Sequence, residues 1–334
     1  MLINHLLPSG DLTDSGKEIW QSLTEKVKQD LGRLLLEARA LDHRMVYWQR
    51  QGKIGTYAPI EGQEAAQVGS SYALEDSDWI FPSYREQAVA FVRGVPFVSI
   101  ISYWRGIIDG CKPPEGKRYV PPTVPIATHL PHAVGAAWSI KIKEEEGIAI
   151  AYFGDGATSE GDFHEALNFA SLYQLPVLFF CQNNGYAISV PFTQQSATKT
   201  VVEKAKAYAM DAYYVDGNDV LAVYDVVCRA KKLRRPALIE AVTYRIGAHT
   251  TADDASRYRL ETEVKSWLQR DPIQRYKRLC AKEGIEIAAS DIYAQLDLAM
   301  NEVERKPLSA EQLFAHVYEE EGGVANANNG ASNC

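Results

Sequence analysis

What the sequence has little of narrows the field first. Its 334 residues hold only five cysteines, Cys111, Cys181, Cys228, Cys280 and Cys334, and no two form a CxxC pair. Thiols scattered this way exclude a disulfide framework or a zinc site and predict reduced cysteines in a cytoplasmic protein. An excess of positive charge is missing too: 35 Lys and Arg stand against 43 Asp and Glu, a formal net charge of −8. That leaves no basic face for nucleic acid or an anionic membrane surface, so neither is expected as a partner. No apolar run is long enough to span a bilayer, and the opening MLINHLLPSGDLTDSG lacks the basic start and apolar stretch of a signal peptide. No GxGxxG opens a helix and no GxxxxGK[ST] occurs, so neither a dinucleotide fingerprint nor a P-loop is present. No internal repeat is visible.

What remains is ordinary globular composition, 46% hydrophobic and 23% charged. From Lys17 to about Gln51 apolar residues recur at helical spacing (Ile19, Leu23, Val27, Leu31, Leu34, Leu35, Ala38, Leu41, Met45, Trp48), which predicts one or two long amphipathic helices. Further helices are expected over 61–74, 84–94, 96–109, 131–143, 159–173, near 198–208 and over 219–233. Five prolines between 113 and 125 mark an irregular segment. Strands are expected at 148–153, 176–181, near 213–217 and at 237–244. Short, continuously apolar strands alternating with helices predict an α/β fold, a mostly parallel sheet covered on both faces. The expected division is an N-terminal helical extension (1–60), the α/β domain (61–260), C-terminal helices (261–320) and a disordered tail (321–334).

In such sheets ligands bind beyond the carboxyl ends of the strands. There the sequence reads AYFGDGATSEGDFHEALNF, with Asp155 between Gly154 and Gly156, and 26 residues later the next strand ends at Asn183 and Asn184. A carboxylate, an amide oxygen and a nearby carbonyl facing one space are the hard donors that magnesium or calcium takes. The glycines let backbone approach closely, and a helix starting near Ser159 would favour an anion. A diphosphate bridged by a divalent cation satisfies this set.

The pair GDGATSEGD and FFCQNNGYAIS resembles the thiamine diphosphate motif. GKIGTYAPIEGQEAAQVGSSYAL, FPSYRE, ATHLPHAVGAAW, VDGNDVLAVY and LIEAVTYRIGAHTTADDASRYR extend the likeness over about residues 20 to 310. They resemble the α subunit of heterotetrameric E1 components of 2-oxo acid dehydrogenase complexes. The resemblance implies a thiamine diphosphate-binding fold, with Mg²⁺ held by Asp155, the side chain of Asn184 and the carbonyl of Tyr186. Gly154, Gly156, Ala157 and Glu160 would line the cofactor, Tyr84 and Arg85 would contact its diphosphate, and Ile126 would prop it in a bent shape. Gln182 stands where some relatives carry an arginine for the diphosphate. A K⁺ site would use Pro125 and Thr128, with His129 in place of a glutamine. His249 is the implied proton donor and acceptor, with Tyr84 beside the chemistry; Ala248 replaces the first of two adjacent histidines. Thr250 and Leu260 occupy positions of regulatory serines, so that regulation is not expected.

The chain has one cofactor domain only, whereas the cofactor needs a glutamate from a second. The resemblance therefore implies an E1 β subunit in an α2β2 heterotetramer, a small 2-oxo acid as substrate, and an E2 lipoyl acyltransferase as acceptor. Pyruvate and branched-chain 2-oxo acids both fit: PIEGQEA is similar to bacterial pyruvate-type chains, VDGNDV and TYRIG to branched-chain ones, and Thr56 stands where some branched-chain enzymes place a phenylalanine. An acetoin dehydrogenase α subunit and a non-catalytic cofactor-binding paralogue remain alternatives.

Overall fold

The computed structural model describes residues 1–288 and 290–309. Three helices lead, α1 (Asp14–Ser22), α2 (Glu25–Arg50) and α3 (Glu64–Tyr72). Strand β1 (Trp79–Phe81) precedes α4 (Gln87–Val92) and α5 (Phe97–Arg105), and then α6 (His129–Ile142), β2 (Ala149–Gly154), α7 (Gly161–Leu172) and β3 (Val177–Asn183) alternate. A minimal hairpin, β4 (Tyr186–Ala187) and β5 (Val190–Pro191), leads into the single turn α8 (Phe192–Gln195). After these come β6 (Asp211–Asp216), α9 (Val220–Lys232) and β7 (Ala237–Val242), then α10 (Glu261–Leu268), α11 (Pro272–Glu283) and α12 (Ile292–Glu304).

The main sheet runs β1-β2-β3-β7-β6, every neighbouring pair parallel. All seven residues of β3 are buried, which is why its first five, Val177 to Cys181, read as an unbroken apolar run. Successive side chains divide between two cores. Ala149, Ala151, Phe153, Phe179 and Cys181 pack with Leu130, Val134, Phe163 and Leu167 of α6 and α7. Ile150, Tyr152, Leu178, Phe180 and Ile239 pack on the other face with Val89, Val223, Val226 and Val227 of α4 and α9. The N-terminal helices pack on this second side: α2 buries Leu31, Leu34, Leu35, Ala38, Leu41, Met45 and Trp48, and the Thr24 hydroxyl caps it by accepting from the Val27 N–H. Asp219 caps α9 through the Leu221 and Ala222 N–H groups and also accepts from the His5 and Leu6 N–H groups at 2.6 Å. One buried carboxylate thus ties the first residues to the sheet, where Ile3 bridges Val215 of β6.

The structure departs from the sequence-based reading in several places. Strand β1 was not expected; three residues between helical patterns carry no period of their own. The helix expected from 159 begins at Gly161, because Asp155–Ser159 form a 3-10 turn. Residues 201–208 are also 3-10 rather than α-helical, the 96–109 helix stops at Arg105 where Gly106 turns left-handed at φ +82°, and β7 ends two residues before the expected 244. The expected tail (321–334) and the end of the expected C-terminal helices (310–320) lie outside the described residues. No helix among the described residues is long and apolar enough to cross a membrane.

Candidate active site

The carboxyl ends of β2, β3 and β7 open on a cavity of about 510 Å³. Its wall includes Tyr84, Arg85, Ile126, the whole turn Gly154–Ala157 and Glu160, together with Gln182, Asn184, Tyr186 and His249. The structure therefore brings together each of the residues that the sequence placed at the site.

At one end stands Asp155, 1% exposed. Its Oδ2 accepts from Gln195 Nε2 at 3.0 Å, while Oδ1 is buried with no hydrogen-bond partner among the described residues. Burial raises its pKa above the usual carboxylate range, and the Gln195 hydrogen bond opposes that rise. Beside it, Asn184 Oδ1 accepts from the Tyr186 N–H at 3.3 Å. A Cβ on Gly156 would lie 2.9 Å from the Cβ of Ala187, whereas a Cβ on Gly154 would meet nothing within 4 Å. The first glycine is therefore demanded by the hairpin packed against it, and the second leaves cavity space unfilled. Among the described residues no group of three or more His, Cys, Asp or Glu could hold a metal. A cation here would have Asp155 as its carboxylate and oxygens of Asn184 and Tyr186 in the neighbouring loop, with an anion or water to complete its shell. That donor set and the unpaired Oδ1 fit a hard divalent cation carrying a phosphate-type anion.

At the other end His249 lies between two guanidinium groups. Arg85 Nη2 donates to its Nδ1 at 3.1 Å and to its backbone carbonyl at 3.0 Å, and Arg245 Nη1 approaches Nδ1 at 3.3 Å. Guanidinium nitrogens only donate, so Nδ1 is the acceptor and Nε2 carries the hydrogen. Burial, then Arg85 and Arg245, lower the pKa of His249 to about 4, against the pull of Asp253. With that pKa the imidazole is neutral at pH 7. The loop is anchored by its backbone: the His249 N–H donates to Asp253 Oδ2 at 2.8 Å, and Thr251 pairs with Tyr57 in both directions, N–H to carbonyl at 2.8 Å and Tyr57 N–H to Oγ1 at 3.0 Å.

Against known proteins, a family model described as "Dehydrogenase E1 component" matches residues 33–306. The chain belongs to the dehydrogenase E1 component family. It is 42% identical over 311 residues to a protein named 3-methyl-2-oxobutanoate dehydrogenase subunit alpha from Mycobacterium tuberculosis, covering 90% of this chain and 85% of that one. It is 38% identical over 300 residues to a protein named pyruvate dehydrogenase E1 component subunit alpha from Staphylococcus aureus, covering 85% and 81%.

Within this E1 chain some expected contacts are already committed elsewhere. Arg85 Nη1 donates to the Pro59 carbonyl at 2.7 Å, so both its terminal nitrogens are engaged and it braces His249. Gln182 spends both ends of its amide, accepting from Gln67 Nε2 at 3.1 Å and donating to Glu86 Oε1 at 2.6 Å. Tyr84 sets its ring edge-on to His249, centroids 6.1 Å apart. Ile126 is 43% exposed at the cavity mouth, and Glu160, also exposed, is the N-cap of α7. At the expected K⁺ site the Thr128 hydroxyl donates to the Pro125 carbonyl at 3.1 Å. His129, buried, turns Nε2 onto the Tyr152 carbonyl at 2.7 Å, and burial lowers its pKa to about 4. Arg245, Gln63 and Gln195 escaped the sequence reading. Arg245 had one signal, four residues before His249 in the same strand-end loop; the two glutamines had none.

Proposed function

We propose that this chain is the α subunit of the E1 component of a cytoplasmic 2-oxo acid dehydrogenase complex, acting with thiamine diphosphate and Mg²⁺ on pyruvate or a branched-chain 2-oxo acid. The observation that carries the proposal is the buried, unpaired Asp155 Oδ1 beside Asn184, in one cavity with a neutral histidine. Asp155, Asn184 and the Tyr186 carbonyl would hold the metal, and Tyr84, Gly154, Gly156, Ala157 and Glu160 would surround the diphosphate. When bound, the cofactor supplies a nucleophilic carbon and an electron sink for decarboxylation.

The chain's own residues do the rest. Arg245 and Arg85 keep His249 neutral and present the hydrogen on Nε2, which can donate a hydrogen bond to an oxygen that gains negative charge. The same two cations draw an anionic 2-oxo acid toward the histidine. The cavity mouth carries exposed apolar side chains, Val124, Ile126 and Ile188, the kind of rim that a partner covers to exclude water. A β subunit in an α2β2 heterotetramer would cover it and bring the missing glutamate, with the lipoyl group of an E2 acyltransferase as acceptor. A K⁺ site would use the Pro125 carbonyl and the Thr128 hydroxyl, which share a hydrogen bond at 3.1 Å. Cys111, Cys181, Cys228 and Cys280 are free thiols, as the cytoplasm favours.

The test is 2-oxo acid-dependent reduction of an artificial electron acceptor with thiamine diphosphate and Mg²⁺. The chain is assayed alone and co-expressed with the product of the neighbouring reading frame, with pyruvate and 3-methyl-2-oxobutanoate offered. Activity in the pair alone is expected, and the preferred acid names the substrate. Activity of the single chain refutes the split site; tight cofactor binding without turnover of either acid points to acetoin or to a non-catalytic relative.

A further inference from the structure

Gln63 lies on the cavity wall at the N-cap of α3 and is fully buried. Its amide orientation follows from a chain of donors. The Tyr186 N–H can only donate, so Asn184 turns Oδ1 toward it. Asn184 Nδ2 then faces Gln63 and donates to its Oε1 at 3.3 Å. Gln63 is left with Nε2, which is buried and has no hydrogen-bond partner among the described residues. The backbone holds it there: the Gln63 N–H donates to the Ile60 carbonyl at 2.8 Å, the Gly62 N–H to Glu64 Oε2 at 2.9 Å, and Thr243 Oγ1 to the Gly62 carbonyl at 2.9 Å. Gly62 itself sits at φ +97° with no room for a Cβ, which would fall 2.2 Å from the Tyr244 carbonyl. A fixed, buried amide donor without an acceptor is rare in a folded chain and calls for a missing partner.

We propose that Gln63 is a ligand-binding residue of this site. Its Nε2 donates to an anionic oxygen, while its Oε1 orients Asn184 toward the cation. The inference rests on the cofactor reading above. The anionic oxygen belongs either to the diphosphate or to the carboxylate of the 2-oxo acid. The two sources share one chemistry and are separated by experiment.

The experiment uses the chain co-purified with its partner subunit. Thiamine diphosphate is titrated at fixed Mg²⁺ without substrate, and binding is followed by intrinsic fluorescence, since Trp104 lies on the cavity wall. Gln63→Glu keeps the acceptor for Asn184 but replaces the donor with a second acceptor; Gln63→Met removes both and keeps the bulk. Apo melting temperatures show that each variant is folded. The expected result is a cofactor dissociation constant raised roughly ten- to a hundredfold in both, the worth of one hydrogen bond to a charged group. Unchanged cofactor affinity with an equal rise in KM for the 2-oxo acid supports the proposal with the carboxylate as acceptor. Both variants within twofold of wild type in both measurements overturn it. So does a loss confined to Gln63→Met, which would leave the residue acting through Asn184 alone. Failure of the wild-type protein to bind thiamine diphosphate rejects the underlying reading instead.

Discussion

Replacing Asp155 with asparagine should strengthen the empty protein and disarm it in the same step. The carboxylate is 1% exposed, accepts one hydrogen bond, and leaves Oδ1 without a partner. Its folded pKa is raised by burial, so the folded state holds the proton to a higher pH than the unfolded chain does. Stability from that proton is complete below the unfolded value near 4 and is lost as pH rises through the folded value. Above the unfolded value, burying the carboxyl group is a cost, whether it is carried as a charge or as a retained proton. Asparagine has the same shape, can still accept from Gln195, and carries no charge. The amide NH2 takes over the unpartnered position, so the gain comes from removing the buried charge, worth about 1–3 kcal/mol. With an unfolding entropy of roughly 2 cal/mol/K per residue, that raises the melting temperature by about 1.5–4 °C in a chain of 334 residues. A ligand at a hundredfold excess over its dissociation constant adds about 2.7 kcal/mol, or roughly 4 °C on the same scale, to the wild type and nothing to the variant. Calorimetry without and with Mg²⁺ and thiamine diphosphate should therefore show the two proteins exchanging rank, and the apo difference should shrink toward pH 4. An apo variant that melts below wild type, or one that gains as much from the cofactor, refutes the reasoning.

Arg245→Met removes one of the cations beside His249, so its pKa should climb from about 4 back toward the ordinary histidine value; an unmoved imidazole titration by NMR would show that burial alone sets it. Because the folded pKa lies below the unfolded one, His249 withdraws stability as pH falls from about 6.5 toward 4, and this acid slope should be shallower in Arg245→Met when measured by urea unfolding. Asp42→Ala strips the acceptor from the Tyr57 hydroxyl and the Ile60 and Glu61 N–H groups. A loss of about 3 kcal/mol or more is expected, with a fall in kcat because the same segment backs Arg85 and Thr251; Asp42→Asn should recover part of both. Gly62→Ala, strained at φ +97° and crowded by the Tyr244 carbonyl, should cost about 3 kcal/mol or more or prevent soluble expression; a variant as stable as wild type would mean that the turn can open.

The strands that form the centre of the sheet were legible because burial on both faces makes β2 and the first five residues of β3 continuously apolar, and leaves Glu240 as the single charged residue in β7. Gly154, Asp155, Gly156 and Asn184 were legible for a related reason: small and hard-donor residues at the ends of such strands have few other uses. Strand β1 was not, since its three residues pair with β2 only in the folded chain. The 3-10 turn at Asp155–Ser159 hid behind a helical pattern that begins six residues later. Partners were the least visible level. Nothing in one dimension says that Arg85 faces His249, 164 residues away, or that Glu86 and Gln67 occupy the amide of Gln182.

The strand order carries a consequence for biogenesis. Strand β7 lies between β3 and β6 yet is the last of the five to leave the ribosome. Until Val242 has emerged, β3 lacks one of its two neighbours and β6 has no place to pair, and the first residues of the chain, whose Ile3 bridges β6, have nothing to hold. A nascent chain of about two-thirds length thus exposes β3, wholly buried in the finished protein, as an open adhesive edge. His249 follows within seven residues of Val242, so closure of the sheet and completion of the cavity are nearly simultaneous. A ligand of this cavity therefore comes too late to template the sheet, and the open β3 edge is a hazard of synthesis rather than of catalysis.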